Sequence, residues 1–130
     1  MACILVVDDQ EDILQTTALV LKKGGYAVAT AANGYEAIEA ARELQPDLIL
    51  LDIEMPRMDG WEALRLMRLD EATRDIPVAM FTILFDVREK VRALKYGAQD
   101  YVTKPFSMDD LLARVERILG GVSAGELEVR

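Results

Sequence analysis

Three aspartates, a threonine and a lysine stand where a folded chain would use them for phosphoryl chemistry. Asp8 and Asp9 follow the apolar run CILVV, Asp52 follows the run DLILL, Thr82 ends IPVAMFT, and Lys104 ends DYVTK. If these runs are parallel strands, all five groups fall on one edge of a sheet, the edge outside the carboxyl ends where open α/β sheets bind ligands. Each has an ordinary explanation alone: Asp9 can cap the next helix, Thr82 can satisfy a strand-end hydrogen bond, and Lys104 can simply be solvated. Together they are harder to dismiss. Three carboxylates on adjacent strands repel one another in a partly dry cleft unless a cation or a raised pKa relieves them. An all-oxygen donor set without sulfur or imidazole suits a hard divalent cation, and a small number of ligands favours Mg2+, which keeps several waters. Asp52 is then placed as a nucleophile, a metal ligand, or both. A carboxylate can attack phosphorus to give an aspartyl phosphate, and phosphoryl transfer asks mainly for positioning and charge neutralisation.

Composition narrows the chemistry further. The 130 residues contain no histidine, which removes the commonest general base and the imidazole metal ligand. Fifteen basic against 23 acidic residues leave a net charge of −8, which repels a phosphate backbone and argues against direct nucleic-acid binding. The one cysteine, Cys3, excludes an internal disulfide framework and reads as a small buried thiol suited to a reducing cytoplasm. No apolar run approaches the length of a spanning helix and no export signal is recognisable, so a soluble cytoplasmic protein without membrane contact is expected.

The elements that must position these groups are written in the hydrophobic pattern. Five apolar runs, at 3 to 7, 26 to 31, 47 to 51, 76 to 82 and 100 to 104, alternate with amphipathic segments, the signature of a parallel sheet covered on both faces. Helical spacing links Ile13, Thr17, Val20 and Leu21; Ala37, Ile38, Ala41 and Leu44; Leu64 and Met67; Val87, Val91 and Leu94; and Leu111, Val115, Ile118 and Leu119. Asn33 and Ser107 are expected N-caps, Ser107 with Asp110 in a capping-box pattern, and Gly24 and Gly97 stand at helix ends. The expected fold is α/β: a (βα)5 doubly wound, flavodoxin-like five-stranded parallel sheet in strand order 2-1-3-4-5. It should occupy residues 1–120, with 121–130 a flexible tail or the start of a linker.

The motifs VVDD at 6 to 9, LLDIEMPRMDG at 50 to 60, FT at 81 to 82 and GAQDYVTKPF at 97 to 106 resemble, in order and spacing, a two-component response-regulator receiver domain of the chemotaxis-receiver kind. The resemblance covers residues 3 to 119. It implies that Asp52 is the phosphoacceptor and that Asp9 and Asp52 bind Mg2+ directly, together with the backbone carbonyl of Glu54, while Asp8 acts largely through water. It implies that Lys104 pairs with the phosphoryl group, before a cis bond to Pro105, that Thr82 binds a phosphoryl oxygen, and that Tyr101 is the switch aromatic. The implied donor is a phosphohistidine on a sensor histidine kinase or a histidine phosphotransfer domain. Small acyl or carbamoyl phosphates are further implied donors. The implied readout is an altered surface formed by the fourth helix, the fifth strand and the fifth helix (α4-β5-α5), read by a downstream effector or an output domain. Such a chain is not an enzyme in the usual sense, since it catalyses only its own phosphorylation and dephosphorylation.

Two positions depart from the pattern or modulate it. Ile83 stands where the family usually has a very small residue, and a branched side chain there is expected to slow donor entry or shield the phosphoaspartate from water. Glu54 adds a carboxylate beside the acceptor, or is an ordinary solvated loop acid. Lys90, Asp100, Asp110 and Arg114 resemble positions that form intersubunit charge pairs in receivers attached to winged-helix DNA-binding domains, so a phosphorylation-promoted homodimer through α4-β5-α5 is a further expectation. Competing readings are a phosphorylation-independent adaptor on the same fold, favoured by Ile83 but opposed by the complete acidic set, and a small phosphohydrolase of the haloacid-dehalogenase type. Asp52-Ile53-Glu54 imitates the nucleophile motif of the latter, but that family places its nucleophile on the first strand.

Overall fold

The computed structural model describes residues 1–82, 87–103 and 107–120. Ten elements alternate: β1 (Cys3–Val7), α1 (Glu11–Lys23), β2 (Ala27–Ala31), α2 (Gly34–Leu44), β3 (Leu48–Leu51), α3 (Gly60–Leu69), β4 (Val78–Thr82), α4 (Val87–Lys95), β5 (Asp100–Thr103) and α5 (Met108–Leu119). All strand pairs are parallel and the sheet order is β2-β1-β3-β4-β5, as expected. No helix among the described residues is long and apolar enough to cross a membrane.

The continuous apolar runs arise because alternate residues of each strand feed opposite faces of the sheet. Leu5, Val7, Ile49, Leu51 and Met80 join the core under α2, α3 and α4. Ile4, Val6, Leu48, Leu50 and Phe81 join the core under α1 and α5. Fully burying one such side chain contributes about 1.5–3 kcal/mol, so neither face can lose its helices cheaply.

Boundary chemistry accounts for the element ends. The side chain of Asn33 accepts from the Glu36 amide, and that of Ser107 from the Asp110 amide, as expected of N-caps. Asp59 does the same for Glu62 at the start of α3. β4 starts two residues later than its apolar run, at Val78, because Pro77 lacks an N–H for the ladder; its carbonyl still accepts from Ile49. Four burial expectations differ from the structure, among them Leu44 at the end of α2, which is 50% exposed. The buried stripe of α1 runs through Leu14, Thr17, Ala18 and Leu21, rotated slightly from the expected one. In α4 it is Ala93 that is fully buried while Val91 is exposed, because the smaller side chain permits close approach to the sheet. Cys3 is half-buried, since it opens β1 at the rim.

Candidate functional site

Two aspartates are set side by side by the register of the two central strands. Val7 of β1 pairs with Leu51 of β3, and one residue further the Asp52 amide donates to the Val7 carbonyl at 3.1 Å. On the other side of β1 the Asp8 amide donates to the Ala31 carbonyl, so Asp8 is held in the sheet as firmly as a strand residue. Both side chains are nearly buried, and Asp9 is exposed beside them. Asp8, Asp9 and Asp52 each offer a carboxylate oxygen, all within 4.8 Å of one another.

The ordinary role offered for Asp9 does not hold. The N-cap of α1 is Gln10, which makes no side-chain cap bond, and its own amide donates to Asp8 Oδ1 at 2.9 Å. Among the described residues the Asp9 carboxylate makes no hydrogen bond or ion pair, so its oxygens are available to a cation. A donor set of three carboxylates, two of them withdrawn from water, matches the oxygen preference of Mg2+. These residues fit that ion.

The cluster opens into a cavity of about 490 Å³ walled by Asp9, Asp52, Glu54, Met55, Pro56 and Asp59. The loop that forms this wall turns at Arg57, whose φ of 71° is left-handed, and the Met58 amide closes it onto the Pro56 carbonyl. It then re-enters helix at Gly60, whose amide donates to the Ile53 carbonyl at 2.7 Å. A Cβ on Gly60 would collide with the Asp52 carbonyl oxygen, so the α3 start rests directly on the backbone of Asp52. Glu54 is exposed on the cavity rim.

Thr82 ends β4, fully buried, opposite Thr103 in the register of β4 and β5. Tyr101 lies on β5 opposite Met80 and is 5% exposed within the core under α2, α3 and α4. Lys104, Pro105 and Ile83 lie outside the described residues, as does the segment 121–130. Of the charged set expected at a dimer face, Arg114 donates to both oxygens of buried Asp100, at 3.2 and 3.1 Å, and to Asp110 on the preceding turn. Burial lowers the Arg114 pKa, but Asp100 and Asp110 more than offset this and hold it above its ordinary value.

Reading the sequence by strand ends found the carboxylates and passed over the device that supports them. Asp59 and Gly60 act through a cap and a close backbone approach, and the available signal was the D-x-x-E spacing of Asp59 and Glu62 around the Asp-Gly turn.

The fold and the sequence are similar to those of known proteins. The family model described as the response regulator receiver domain matches residues 4–116. The chain is 41% identical over 119 residues to the DNA-binding dual master transcriptional regulator RpaA of Synechocystis, covering 92% of this chain and 49% of that protein. It is 39% identical over 125 residues to the phosphate regulon transcriptional regulatory protein PhoB of Pseudomonas aeruginosa, covering 96% and 55%. The crystal structure of the chemotaxis protein CheY4 of Vibrio cholerae superposes with a TM-score of 0.85 at 34% identity, over 91% of this chain and 98% of that one. The chain thus spans about half the length of the curated relatives it matches and nearly all of the CheY4 chain. With the fold, the strand order and the family match in agreement, this chain belongs to the response regulator receiver domains of two-component signalling.

Proposed function

We propose that the chain is a phosphoacceptor switch in which Asp52 takes a phosphoryl group from a phosphohistidine on a sensor kinase or phosphotransfer domain. The observation that carries the reading is the convergence of Asp8, Asp9 and Asp52 within 4.8 Å beside an open cavity. An Asp52 carboxylate oxygen forms the new bond to phosphorus, the bond from phosphorus to the donor imidazole breaks, and the imidazole nitrogen keeps the electron pair. Asp9, Asp52 and the Glu54 carbonyl would hold Mg2+, with Asp8 acting through water, and the ion supplies charge neutralisation. The Thr82 hydroxyl and the Lys104 ammonium donate to phosphoryl oxygens. Ile83 and Glu54 tune donor entry and the lifetime of the phosphoryl group.

The energy scale suits a two-state switch. Hydrogen bonds to charged groups contribute about 1.5–3 kcal/mol each, so new contacts from Thr82 and Lys104 supply roughly 3–6 kcal/mol. Complete reversal of a 1:99 equilibrium takes about 5.5 kcal/mol, so the resting ensemble already contains some active state. Drawing Thr82 toward the phosphoryl group vacates space for Tyr101, and the α4-β5-α5 face changes.

The output is proposed to be an effector protein or a further domain reached through 121–130, with residues 1–120 forming the receiver and the protein residing in the cytoplasm. The relatives' printed role as transcriptional regulators supports this. The −8 charge argues that DNA contact belongs elsewhere than on this domain. Dimerisation through α4-β5-α5 must exchange the internal Arg114 bonds to Asp100 for intersubunit ones, and exposed charge pairs return only about 0–1 kcal/mol each. Sedimentation with and without beryllofluoride reads it, and an unchanged monomer removes it.

The central test is intact-mass measurement after acetyl phosphate, with and without Mg2+, on the parent and on Asp52→Asn. One Mg2+-dependent phosphoryl adduct in the parent alone is expected. An adduct of equal yield on Asp52→Asn would end the reading.

A further inference from the structure

A second cavity, of about 520 Å³, lies between α3 and α4, and Asp59 forms part of the wall of both cavities. It holds Trp61, the one tryptophan of the chain, which is 9% exposed. Tyr96, just past α4, meets the Trp61 ring edge-on with centroids 5.9 Å apart and planes at 81°. The Arg92 guanidinium lies 4.4 Å from the centroid of Trp61 and 5.6 Å from that of Tyr96.

The other charges lining this groove are already engaged. Arg65 forks Glu62 through two bonds of 3.0 and 2.6 Å. Arg68 donates to the carbonyls of Arg74, Ile76 and Gly97, and Asp59 caps α3. Arg92 differs. Its ion-pair contact is Glu89 at 4.0 Å, the limit of such a contact, and among the described residues its guanidinium makes no hydrogen bond. A planar cation is thus held in place by two rings with its donors unfilled, a pre-organised fork for a carboxylate.

The surroundings add the second half of a recognition surface. Leu69 is 70% exposed and Tyr96 is 53% exposed in the wall of the groove, apolar surface in the same cavity as the Arg92 cation. On an acidic chain, the groove carries three arginines against two acids, both of the latter engaged. Its complement is a carboxylate with an apolar side chain as neighbour. Exposed apolar side chains in the same groove as the cation favour a polypeptide over a small anion, which would leave Leu69 uncovered.

We propose that the α3–α4 groove docks a segment of a partner protein, in which an acidic side chain binds Arg92 and an adjacent apolar side chain covers Leu69 and Tyr96. The groove shares α4 with the α4-β5-α5 face but is walled by α3, and docking there does not depend on the chemistry at Asp52.

Titration of the unphosphorylated 15N-labelled chain reads it directly, because the single indole N–H of Trp61 gives one resonance. The probe is acetyl-Glu-Leu-Glu-Phe-amide, with the Gln-for-Glu peptide and benzoate as controls. A saturable shift of the Trp61 indole and the Arg92 Nε–H is expected, weakened about tenfold both by the Gln peptide and by Arg92→Gln, an exposed substitution that leaves the fold intact. Absence of a saturable shift, or equal affinity in Arg92→Gln, overturns the proposal. So does a benzoate shift as strong as the peptide's, which assigns the groove to a small anion, or a shift that follows protein concentration alone, which assigns it to a second copy of the chain.

Discussion

Gly60 rests on the carbonyl group of Asp52 so closely that no side chain fits between them, and its amide donates to the next carbonyl, that of Ile53. The α3 N-terminus therefore positions the backbone on which the candidate phosphoacceptor stands.

Gly60→Ala is expected to shift that backbone and to destabilise the fold by about 1–3 kcal/mol, the usual cost of overpacking. Acetyl phosphate labelling of Asp52 should slow about tenfold, a change of roughly 1.4 kcal/mol in barrier. Gly25→Ala is the control. Its φ of +94° makes any side chain strained, but nothing lies within 4 Å, so it should lose about 1–2 kcal/mol of stability without changing labelling. Denaturant titration and labelling kinetics on both variants separate the effects, and parental labelling in Gly60→Ala would contradict the positioning role.

Asp9→Asn tests the acidic cluster through stability, without reference to phosphorylation. With three carboxylate oxygens within 4.8 Å, neutralising the exposed member should stabilise the metal-free protein by about 1 kcal/mol, the Coulomb scale for two like charges about 4 Å apart in a water-like medium. The parent should gain about 2.7 kcal/mol when Mg2+ is present at a hundredfold its dissociation constant, and the variant much less. Thermal unfolding in EDTA and in MgCl2 measures both. A variant that loses stability in EDTA and keeps the full Mg2+ gain would remove Asp9 from the ligand set.

The strand order and the gathering of Asp8, Asp9 and Asp52 were legible in sequence because both follow from continuous apolar runs alternating with period-3.6 segments plus right-handed crossovers. What was illegible depended on neighbours from elsewhere in the chain. Whether Val91 or Ala93 faces the sheet is decided by how closely α4 approaches, and whether Asp9 caps α1 is decided by Asp8 taking the Gln10 amide first. The Trp61–Arg92–Tyr96 stack joins Trp61 to side chains 31 and 35 residues further along the sequence, a juxtaposition that composition alone cannot give.

Thr17→Val should stabilise the protein. Thr17 is fully buried in α1 and its Oγ1 finds no hydrogen-bond partner among the described residues. A buried hydroxyl without a partner costs about 1–3 kcal/mol, and valine keeps the branched shape, so a gain of about 1 kcal/mol is expected. Urea denaturation checks it, and an unchanged or lower midpoint would show that the hydroxyl is satisfied in solution.

Arg68 ties three segments together. Its guanidinium donates to the carbonyls of Arg74 at 3.1 Å, Ile76 at 2.9 Å and Gly97 at 3.0 Å, linking α3 to the approach to β4 and to the end of α4. Burial pushes its pKa below the ordinary value, partly countered by Asp75, yet it remains a cation at neutral pH. Arg68→Ala should cost about 2–3 kcal/mol, less than the sum of three charged hydrogen bonds because water reaches part of the site. Amide exchange of Ala98, whose N–H bonds the Ala93 carbonyl, should quicken more than that of β1. Uniform quickening would mean that Arg68 supports global stability only.

Acid should weaken the fold through Asp70 and Glu62. The Asp70 carboxyl is held below its ordinary value of 3.8 by the Ala72 amide and then by Arg42, which it meets at 2.6 Å, and Glu62 is held below 4.5 by Arg65. In both cases the unfolded chain binds the proton more readily than the folded one. Their contributions are therefore complete above the unfolded pKa values and are lost as pH falls through the folded ones. These two groups should leave the unfolding temperature level between neutral pH and about pH 5, and should lower it progressively below about pH 4.5. Because both carboxylates lie at the surface within reach of water, salt should shrink the effect. Asp70→Asn should flatten the acid limb while lying slightly below the parent at neutral pH. Unfolding curves for parent and variant across that range, with a carboxyl 13C titration of Asp70, check the sign: a curve that rises as pH falls would reverse it.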